Sequence, residues 1–244
     1  MIIYKIWSLS YYALKKIIII GSGFGGLSIT SRLRSKGFDT TLIEKHGDLG
    51  GRARTFLHNN YKYDAGPTVI TAPYLIDELF SIHSEKLSDY VNLLPVKPWY
   101  RFLFENGEYL DYGDKLSTTV KEIKLKYGYE NAKSYLKLVK HSKRIFNKAF
   151  IELSDEPFES LGSMVKHLPE LIRIRFDRSV YQAVDKYIGN KNLNQALSMH
   201  PLLVGGNPYS TTSIYLLIQY LEWKWGVFYA EGGTGKIVDG LEKL

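Results

Sequence analysis

Four isoleucines at positions 17–20 run directly into the glycine-rich stretch 21–26, whose sequence is G-S-G-F-G-G. A β-branched run that meets glycines at this spacing predicts a buried strand, a tight turn and the start of a helix. Gly21 permits the turn, Gly23 lets a phosphate approach the backbone, and Gly26 lets the helix pack closely on its strand. The helix N-terminus then favours a pyrophosphate. The stretch therefore predicts a dinucleotide-binding turn.

A second strand-like run, residues 40–44, ends in Glu44, which lies 18 residues after Gly26. An acid about 20 residues beyond the glycines is expected to bind the ribose hydroxyls of a dinucleotide. The plainer alternative is an ordinary β-turn-α unit that binds no ligand. Because the strand, the glycines and the acid all fall in register, we favour the dinucleotide site.

The stretch after Glu44 indicates which dinucleotide is bound. A nicotinamide-binding Rossmann domain would continue with a helix and a third parallel strand. This chain continues instead with Gly50-Gly51-Arg52 and two short β-like runs, 54–58 and 61–64, around an Asn-Asn turn. Asn tolerates positive φ, so this pattern predicts a hairpin. The glycine pair is expected to leave backbone amides open to a phosphate or a flavin ring edge, and Arg52 adds a permanent cation. The plainer alternative is that Arg52 and Arg54 are solvated charges that flank a strand.

At these residues the chain resembles the FAD-binding flavoprotein superfamily that holds amine oxidases and carotenoid desaturases. The resemblance implies FAD as the cofactor. The residues that it places near FAD are Gly21, Gly23, Phe24, Gly25, Gly26, Glu44, Lys45, Gly50, Gly51, Arg52, Gly66, Pro67 and Thr68.

The composition excludes several other classes of protein. With 244 residues and 45% hydrophobic content, the chain can bury the core of one or two domains. It has no cysteine, so it cannot form a disulfide framework or a thiolate metal site, and its six histidines show no metal-ligand spacing. The net charge of +7 is compatible with an anionic partner, but no nucleic-acid motif is present. We expect no metal and no nucleic acid.

The sequence contains no apolar run of about 18 residues, so we expect any membrane contact to be peripheral or monotopic. Residues 1–14 lack a small-x-small cleavage pattern and are interpreted as an extension before the first strand, not as a signal peptide.

After the nucleotide half-site the pattern changes. Residues 73–82 predict a short helix, and residues 99–112 predict two aromatic strands around Asn106-Gly107. From about residue 116 to residue 187 the pattern is mostly helical, with a break at 155–157. We therefore expect the hairpin at 99–112 to open a second domain, of α+β type.

One predicted helix is strongly basic along one side. At 100° per residue, a cationic stripe is formed by Lys133, Lys137, Lys140, Arg144 and Lys148. The opposite side is predicted to hold Leu136, Leu138, Val139, Ile145, Phe146, Ala149 and Phe150. Such a stripe is more often a solvated face than a functional one. The alternative is a face held near anionic lipid headgroups.

Glycines mark the last part of the chain, in residues 200–208 and 232–235, with polar and aromatic runs at 211–215 and 225–228 between them. Small residues at bends allow a ligand to lie close to backbone. Together with the front end, these runs resemble the bacterial-type phytoene desaturases, and the resemblance extends from about residue 15 to residue 244.

That resemblance implies FAD-dependent desaturation of 15-cis-phytoene toward lycopene or an intermediate carotene, with dioxygen or a quinone as the electron acceptor. It implies a substrate region that includes the aromatic hairpin and His200, Leu203, Gly205, Gly206 and Asn207. Some members have an acid where this chain has Ser163, so the catalytic base is unassigned. The alternatives are another flavoprotein of the superfamily (an isomerase, a saturase or an amine oxidase) or an inactive fragment.

The implied fold class is α/β, with an incomplete Rossmann-like FAD domain and an inserted α+β domain for substrate and membrane. The predicted boundaries are 15–98 for the first part of the FAD domain, 99–229 for the insertion, and 230–244 for the return to the FAD domain. Because the family continues for about as many residues again, we expect an N-terminal fragment. The expected location is the cytoplasmic side of a membrane, as a peripheral protein.

Overall fold

The computed structural model describes residues 16–152, 169, 172 and 174–244. The chain forms two compact units: a first unit of Met1–Pro95 with Val227–Leu244, and a second unit of Val96–Gly226. The predicted extension at 1–14 lies outside the described residues.

The first unit begins with the predicted strand, helix and second strand. β1 (Lys16–Ile20), α1 (Phe24–Ser35) and β2 (Asp39–Ile43) follow one another, and the two strands pair in parallel with Lys16 opposite Asp39. The predicted βαβ unit is confirmed. The unit places the glycine turn at the carboxyl end of β1, beside Glu44, the residue that follows β2.

The prediction that β1 is buried is wrong. Ile20 is 86% exposed and Ile18 is 65% exposed, while Ile17 and Ile19 are half-buried. Successive side chains of a strand point to opposite faces. Among the described residues, β1 and β2 form a sheet of two strands, so alternate isoleucines lie on a face that the described part of the chain leaves open.

The predicted hairpin is confirmed. β3 (Thr55–His58) and β4 (Tyr61–Asp64) pair antiparallel, and Asn59 and Asn60 both adopt positive φ, 48° and 64°. Two central residues with positive φ give a turn whose twist matches that of the strands.

A second sheet of the first unit joins residues from both ends of the chain. β9 (Phe228–Ala230) lies between β5 (Val69–Ile70) and β6 (Leu93–Pro95), antiparallel to both. The helices of this unit also include α2 (Pro73–Ser81), which confirms the helix predicted at 73–82, and α8 (Gly235–Lys243). The apolar core consists of Leu27, Ala53, Ile70, Leu79, Phe80, Leu87, Val91, Ala230, Ile237, Val238 and Leu241.

The second unit opens with the predicted aromatic hairpin, β7 (Tyr100–Leu103) and β8 (Tyr109–Tyr112). Helices α3 (Leu116–Tyr127) and α4 (Tyr129–Phe146) follow, and the chain continues from α4 into a π-helical turn, Asn147–Glu152. The other helices among the described residues of this unit are α5 (Val180–Asp185), α6 (Lys191–Leu197) and α7 (Leu217–Trp225), with 3-10 turns at His200–Val204 and Ser213–Leu216. The predicted break at 155–157 and Ser163 lie outside the described residues.

Helix α4 carries the predicted basic stripe with two corrections. Lys133, Lys137, Lys140 and Arg144 are exposed, whereas Leu138, Val139, Ile145 and Phe146 are buried as predicted. Leu136 is exposed, because it lies three residues after Lys133 and four before Lys140, on the cationic face. Lys148 is mostly buried and pairs with Glu152 at 2.8 Å, since the π-helical turn alters the register after Phe146.

No helix in the described ranges is long and apolar enough to cross a bilayer.

Candidate functional site

The glycine turn has the geometry that a dinucleotide site requires. Gly21 adopts φ +94°, and a Cβ built on Gly26 would lie 1.8 Å from the carbonyl oxygen of Gly21. A Cβ built on Gly23 would meet no atom within 4 Å. Gly26 thus permits the close crossing of α1 over the turn, and the space beside Gly23 is open to a phosphate. These residues fit a bound pyrophosphate.

Glu44 lies beside this turn, where its carboxylate accepts four hydrogen bonds. Oε2 accepts from the backbone N and the Oγ of Ser22, at 2.9 and 2.7 Å. Oε1 accepts from the backbone N of Lys45 and of His46, at 2.8 and 3.0 Å. Chiefly because of the Ser22 hydroxyl and amide, and also because of the His46 amide, the pKa of Glu44 falls to about 2. The carboxylate is therefore charged throughout the physiological range.

This lowered pKa predicts how stability depends on pH. A carboxylate with a depressed pKa in the folded state stabilises the fold above its unfolded pKa, and loses that contribution as the pH falls through the folded pKa. We expect Glu44→Gln to be less stable than the unchanged chain by a constant amount above about pH 5. The difference should shrink as the pH falls from the ordinary pKa of a glutamate, 4.5, to the folded pKa of about 2. Urea unfolding at a series of pH values checks this. A difference that persists undiminished at pH 2 would contradict it.

The Gly50-Gly51-Arg52 segment meets the glycine turn directly. Gly50 adopts φ +99° and donates its amide to the carbonyl oxygen of Ser22 at 3.0 Å. A Cβ built on Gly51 would lie 3.3 Å from Gly23 Cα. The prediction that both glycines leave their amides open is therefore wrong for Gly50, whose amide binds the turn. Gly51 and Arg52 are exposed.

The remaining cofactor residues predicted in this unit lie around the same segment. A Cβ built on Gly66 would lie 2.5 Å from the carbonyl oxygen of Arg52. Pro67 accepts a hydrogen bond from Thr234 Oγ1 at 2.6 Å, and Thr68 is exposed. Phe24 is half-buried against the core, and Gly25 and Lys45 are exposed.

The late glycines Gly233 and Gly235 pack closely against the first hairpin. Asp64 Oδ1 accepts hydrogen bonds from Thr55 Oγ1 and the Thr234 amide, and Thr55 Oγ1 accepts from the Gly235 amide at 3.0 Å. A Cβ on Gly233 would lie 2.7 Å from Asp64 Oδ1, and one on Gly235 would lie 2.7 Å from Thr55 Oγ1. Asp64 and Thr55 thus hold the start of α8. Sequence analysis assigned neither residue this role, although a hydroxyl (Thr55) and an acid (Asp64) stand at the two ends of the hairpin.

In the second unit, His200 is buried in a polar and aromatic cluster. Its Nε2 lies 3.1 Å from Glu222 Oε2, and the hydroxyl of Tyr100 donates to Glu222 Oε1 at 2.8 Å. The side chains of His200 and Glu222 are 1% and 0% exposed. His200 Nδ1 has no hydrogen-bond partner among the described residues. Burial and the neighbouring Glu222 carboxylate raise the pKa of Tyr100 well above its usual range.

The aromatic rings around this cluster come from both ends of the second unit. Trp99 and Trp223 have ring centroids 4.5 Å apart, and Tyr112 lies 5.5 Å from Trp223 and 6.2 Å from His200. Sequence analysis did not identify Glu222 as a site residue, because the sequence of α7 alone does not distinguish a buried acid from an exposed one.

The other residues predicted to contact substrate lie near the surface of this unit. Gly205 adopts φ +77° and is exposed, and Leu203 is half-buried. Gly206 is held against Thr211 Oγ1, which would lie 2.7 Å from an added Cβ. Asn207 is exposed, and its Oδ1 accepts from the Tyr209 amide at 2.9 Å. The structure therefore separates buried His200 from the exposed turn that follows it.

A family model described as flavin containing amine oxidoreductase matches residues 24–244. The chain belongs to the flavin-containing amine oxidoreductase family. The cofactor of this family member is FAD, for which the glycine turn and Glu44 are suited.

Two proteins with similar sequences are named as desaturases. The chain is 41% identical over 231 residues to "Phytoene desaturase (lycopene-forming)" of Pseudescherichia vulneris, covering 95% of this chain and 47% of that protein. It is 33% identical over 230 residues to "Phytoene desaturase (neurosporene-forming)" of Rhodobacter capsulatus, covering 94% and 44%. The chain thus spans about half the length of the curated relatives it matches.

Among solved structures, putrescine oxidase bound to putrescine is similar to this chain with a TM-score of 0.61 at 13% identity, covering 94% of this chain and 49% of that one. At this identity the likeness concerns the fold alone, which is the mixed helix and strand fold of flavin amine oxidases.

Proposed function

We propose that this chain supplies the FAD half-site and the substrate domain of a phytoene desaturase. The observation that carries the proposal is the 41% identity, over 95% of the chain, with a relative named as a lycopene-forming phytoene desaturase. The intact glycine turn supports it, because Gly26 and Gly23 keep the geometry that the cofactor needs. In this proposal the first unit is a Rossmann-like FAD domain, and the second is inserted in it.

When bound, FAD would supply the hydride acceptor for oxidation of a C–H bond of the hydrocarbon, and we propose dioxygen or a quinone as the final electron acceptor. In this chain Gly21, Gly23 and the start of α1 would hold the pyrophosphate. Glu44 would lie toward the ribose, and exposed Arg52 would lie toward the flavin. The base that takes the proton stays unassigned.

The proposed substrate region is the turn after His200 in the second unit. Leu202, Val204 and Tyr209 are large apolar or aromatic residues that are more than half exposed in this turn. Exposed apolar residues that cluster on a surface often mark a binding region. A C40 hydrocarbon is a ligand of matching chemistry, because it offers apolar surface and no hydrogen-bonding group.

A chimera tests the proposed reaction. The segment of the Pseudescherichia vulneris relative that matches this chain would be replaced by residues 15–244, and the product would be expressed in cells that accumulate phytoene. We expect a carotene with a longer conjugated system, seen by its absorbance and by chromatography. A chimera that folds and holds FAD but leaves phytoene unchanged would overturn the desaturase proposal and favour an isomerase, a saturase or an amine oxidase.

We further propose that the second unit binds an anionic membrane surface through α3 and α4, as a peripheral protein on the cytoplasmic side. Residues 115–148 hold ten lysines and arginines and two glutamates, a net charge of +8, whereas the whole chain has +7. Leu125, in the same segment, is 82% exposed, and Tyr129 and Leu136 are also exposed. Basic residues around exposed leucine and tyrosine are typical of an interfacial surface.

The membrane proposal predicts a charge-dependent loss of binding. Each cation near an anionic bilayer contributes about 1 kcal/mol, so Lys137→Glu with Lys140→Glu should weaken binding to phosphatidylserine-containing vesicles by at least about tenfold. Vesicle sedimentation of the 244-residue chain measures this. The control is Lys62→Glu with Lys86→Glu, the same charge change in the first unit. Equal losses in both double variants would show that net charge alone acts, and would contradict the proposed surface.

A further inference from the structure

Ser22, between the first two glycines of the turn, lies at the junction of three segments. It is completely buried. Its backbone N and its Oγ both donate to Glu44 Oε2, at 2.9 and 2.7 Å. The Gly50 amide donates to Ser22 O at 3.0 Å and to Ser22 Oγ at 3.2 Å. Ser22 therefore connects the glycine turn to the end of β2 and to the Gly50 segment.

The direction of each hydrogen bond is fixed by chemistry. A serine hydroxyl has one proton, and a carboxylate accepts only, so that proton points to Glu44. The hydroxyl oxygen then accepts from Gly50. A hydrogen bond to a charged acceptor is about twice as strong as one between neutral groups, and the Glu44 carboxylate is charged above its low pKa of about 2. The negative charge of Glu44 thus polarises Ser22 toward Gly50.

Glu44 has no acceptor capacity left over in this arrangement. A carboxylate has about four lone-pair sites. Four donors from Ser22, Lys45 and His46 occupy them. Holding the protein's own loops is therefore the first task of Glu44, and a ribose hydroxyl would have to share an oxygen with one of these donors.

We propose that Ser22 is a positioning residue that fastens the glycine turn to the Gly50 segment before FAD binds, and that Glu44 influences FAD affinity largely through it. The inference rests on the proposed FAD site. Without the Ser22 hydroxyl, the Gly50 amide keeps only its bond to Ser22 O, so Gly51 and Arg52 are held less firmly beside Gly23. FAD would then have to order this segment as it binds, at a cost in affinity.

Backbone hydrogen exchange of the ligand-free 244-residue chain tests the fastening directly. In Ser22→Ala, we expect the amides of residues 47–53 to exchange about tenfold faster, the scale of one charge-assisted hydrogen bond. Exchange in α2 and in the second unit should not change. The matched control is Ser35→Ala at the end of α1, whose exposed hydroxyl donates to Arg32 O. Unchanged exchange at residues 47–53 in Ser22→Ala would overturn the fastening role.

A double-mutant cycle separates a shared network from two independent losses. In Ser22→Ala with Glu44→Gln, the loss of protection at residues 47–53 should be close to that of the larger single variant, because both act on one network. Additive losses would overturn the claim that Glu44 acts through Ser22. Circular dichroism reports the folded fraction of each variant. The cycle can therefore still be interpreted where one variant is less stable.

Binding of ADP and of FAD, measured by titration calorimetry, decides the effect on affinity. ADP reports the half-site alone, because it carries the ribose and the pyrophosphate. We expect Ser22→Ala to weaken ADP about tenfold and Ser35→Ala to leave it unchanged. Equal ADP affinity in the two variants would overturn the positioning role. If the unchanged chain bound neither ligand, the proposed FAD site and the claim on affinity would both fail, whereas the exchange result would still decide the fastening.

Discussion

Gly26→Ala is expected to destroy the nucleotide site. The new Cβ would lie 1.8 Å from the carbonyl oxygen of Gly21, which is backbone and cannot rotate away. Either the turn or α1 must shift. Overpacking of this kind costs about 1–3 kcal/mol, and we expect the upper end of that range. In the desaturase chimera, product formation should fall by about a hundredfold or more, since a displacement of ~1 Å is enough for such a loss.

Gly25→Ala is the matched control, one residue earlier in the same helix. A Cβ built on Gly25 would meet no atom within 4 Å. Alanine in place of glycine in a helix is worth roughly 0.5–1 kcal/mol. Thermal unfolding should therefore show Gly25→Ala at or above the unchanged protein and Gly26→Ala well below it. Equal behaviour of the two variants would contradict the close crossing of α1 over Gly21.

Glu222→Ala is expected to destabilise the second unit by about 2–6 kcal/mol, since leaving each of two buried hydrogen-bonding groups without a partner costs about 1–3 kcal/mol. The substitution leaves the Tyr100 hydroxyl and His200 Nε2 without their acceptor, in a cluster where His200 and Glu222 are 1% exposed or less. Denaturant unfolding followed by tryptophan fluorescence measures the loss, because Trp99 and Trp223 lie in the same unit as Glu222.

Two further variants define the source of that loss. Tyr100→Phe removes one neutral donor and keeps the ring, so a cost of about 0.5–1.5 kcal/mol is expected. Glu130→Ala removes an exposed acid from α4 and should change the free energy of unfolding by less than about 0.5 kcal/mol. If Glu222→Ala cost no more than Glu130→Ala, the buried polar cluster would not stabilise this unit.

The predictions that the structure confirms depend on local rules. Glycine at 21 is needed because the turn takes positive φ there, and the Asn59-Asn60 turn is recognisable for the same reason. Strand, turn and helix then follow one another along the sequence. The spacing to Glu44 places an acid at the end of β2 next to the turn, and the structure brings Glu44 to the predicted position beside it.

The features that sequence reasoning missed depend on contacts between distant residues. Burial of Glu222 requires a partner at Tyr100, 122 positions away, and no pattern within α7 indicates it. Asp64 binds the start of α8 across 170 positions. Burial of the isoleucine strand was predicted from its composition, but exposure depends on what covers each face of the sheet, which composition does not specify. Leu136 was placed on the wrong side of α4, although its spacing from Lys133 and Lys140 shows the exposed face.

The strand order β5-β9-β6 has a consequence for the synthesis of this protein. β9 lies between its two neighbours, yet it follows them in the chain after the 131 residues of Val96–Gly226. At about 5–20 residues per second, a ribosome needs roughly 7–26 s to make that intervening stretch. The second unit is continuous and is complete before β9 exists. During this interval β5 and β6 lack their common partner, so their strand edges are unpaired and open to association with other chains.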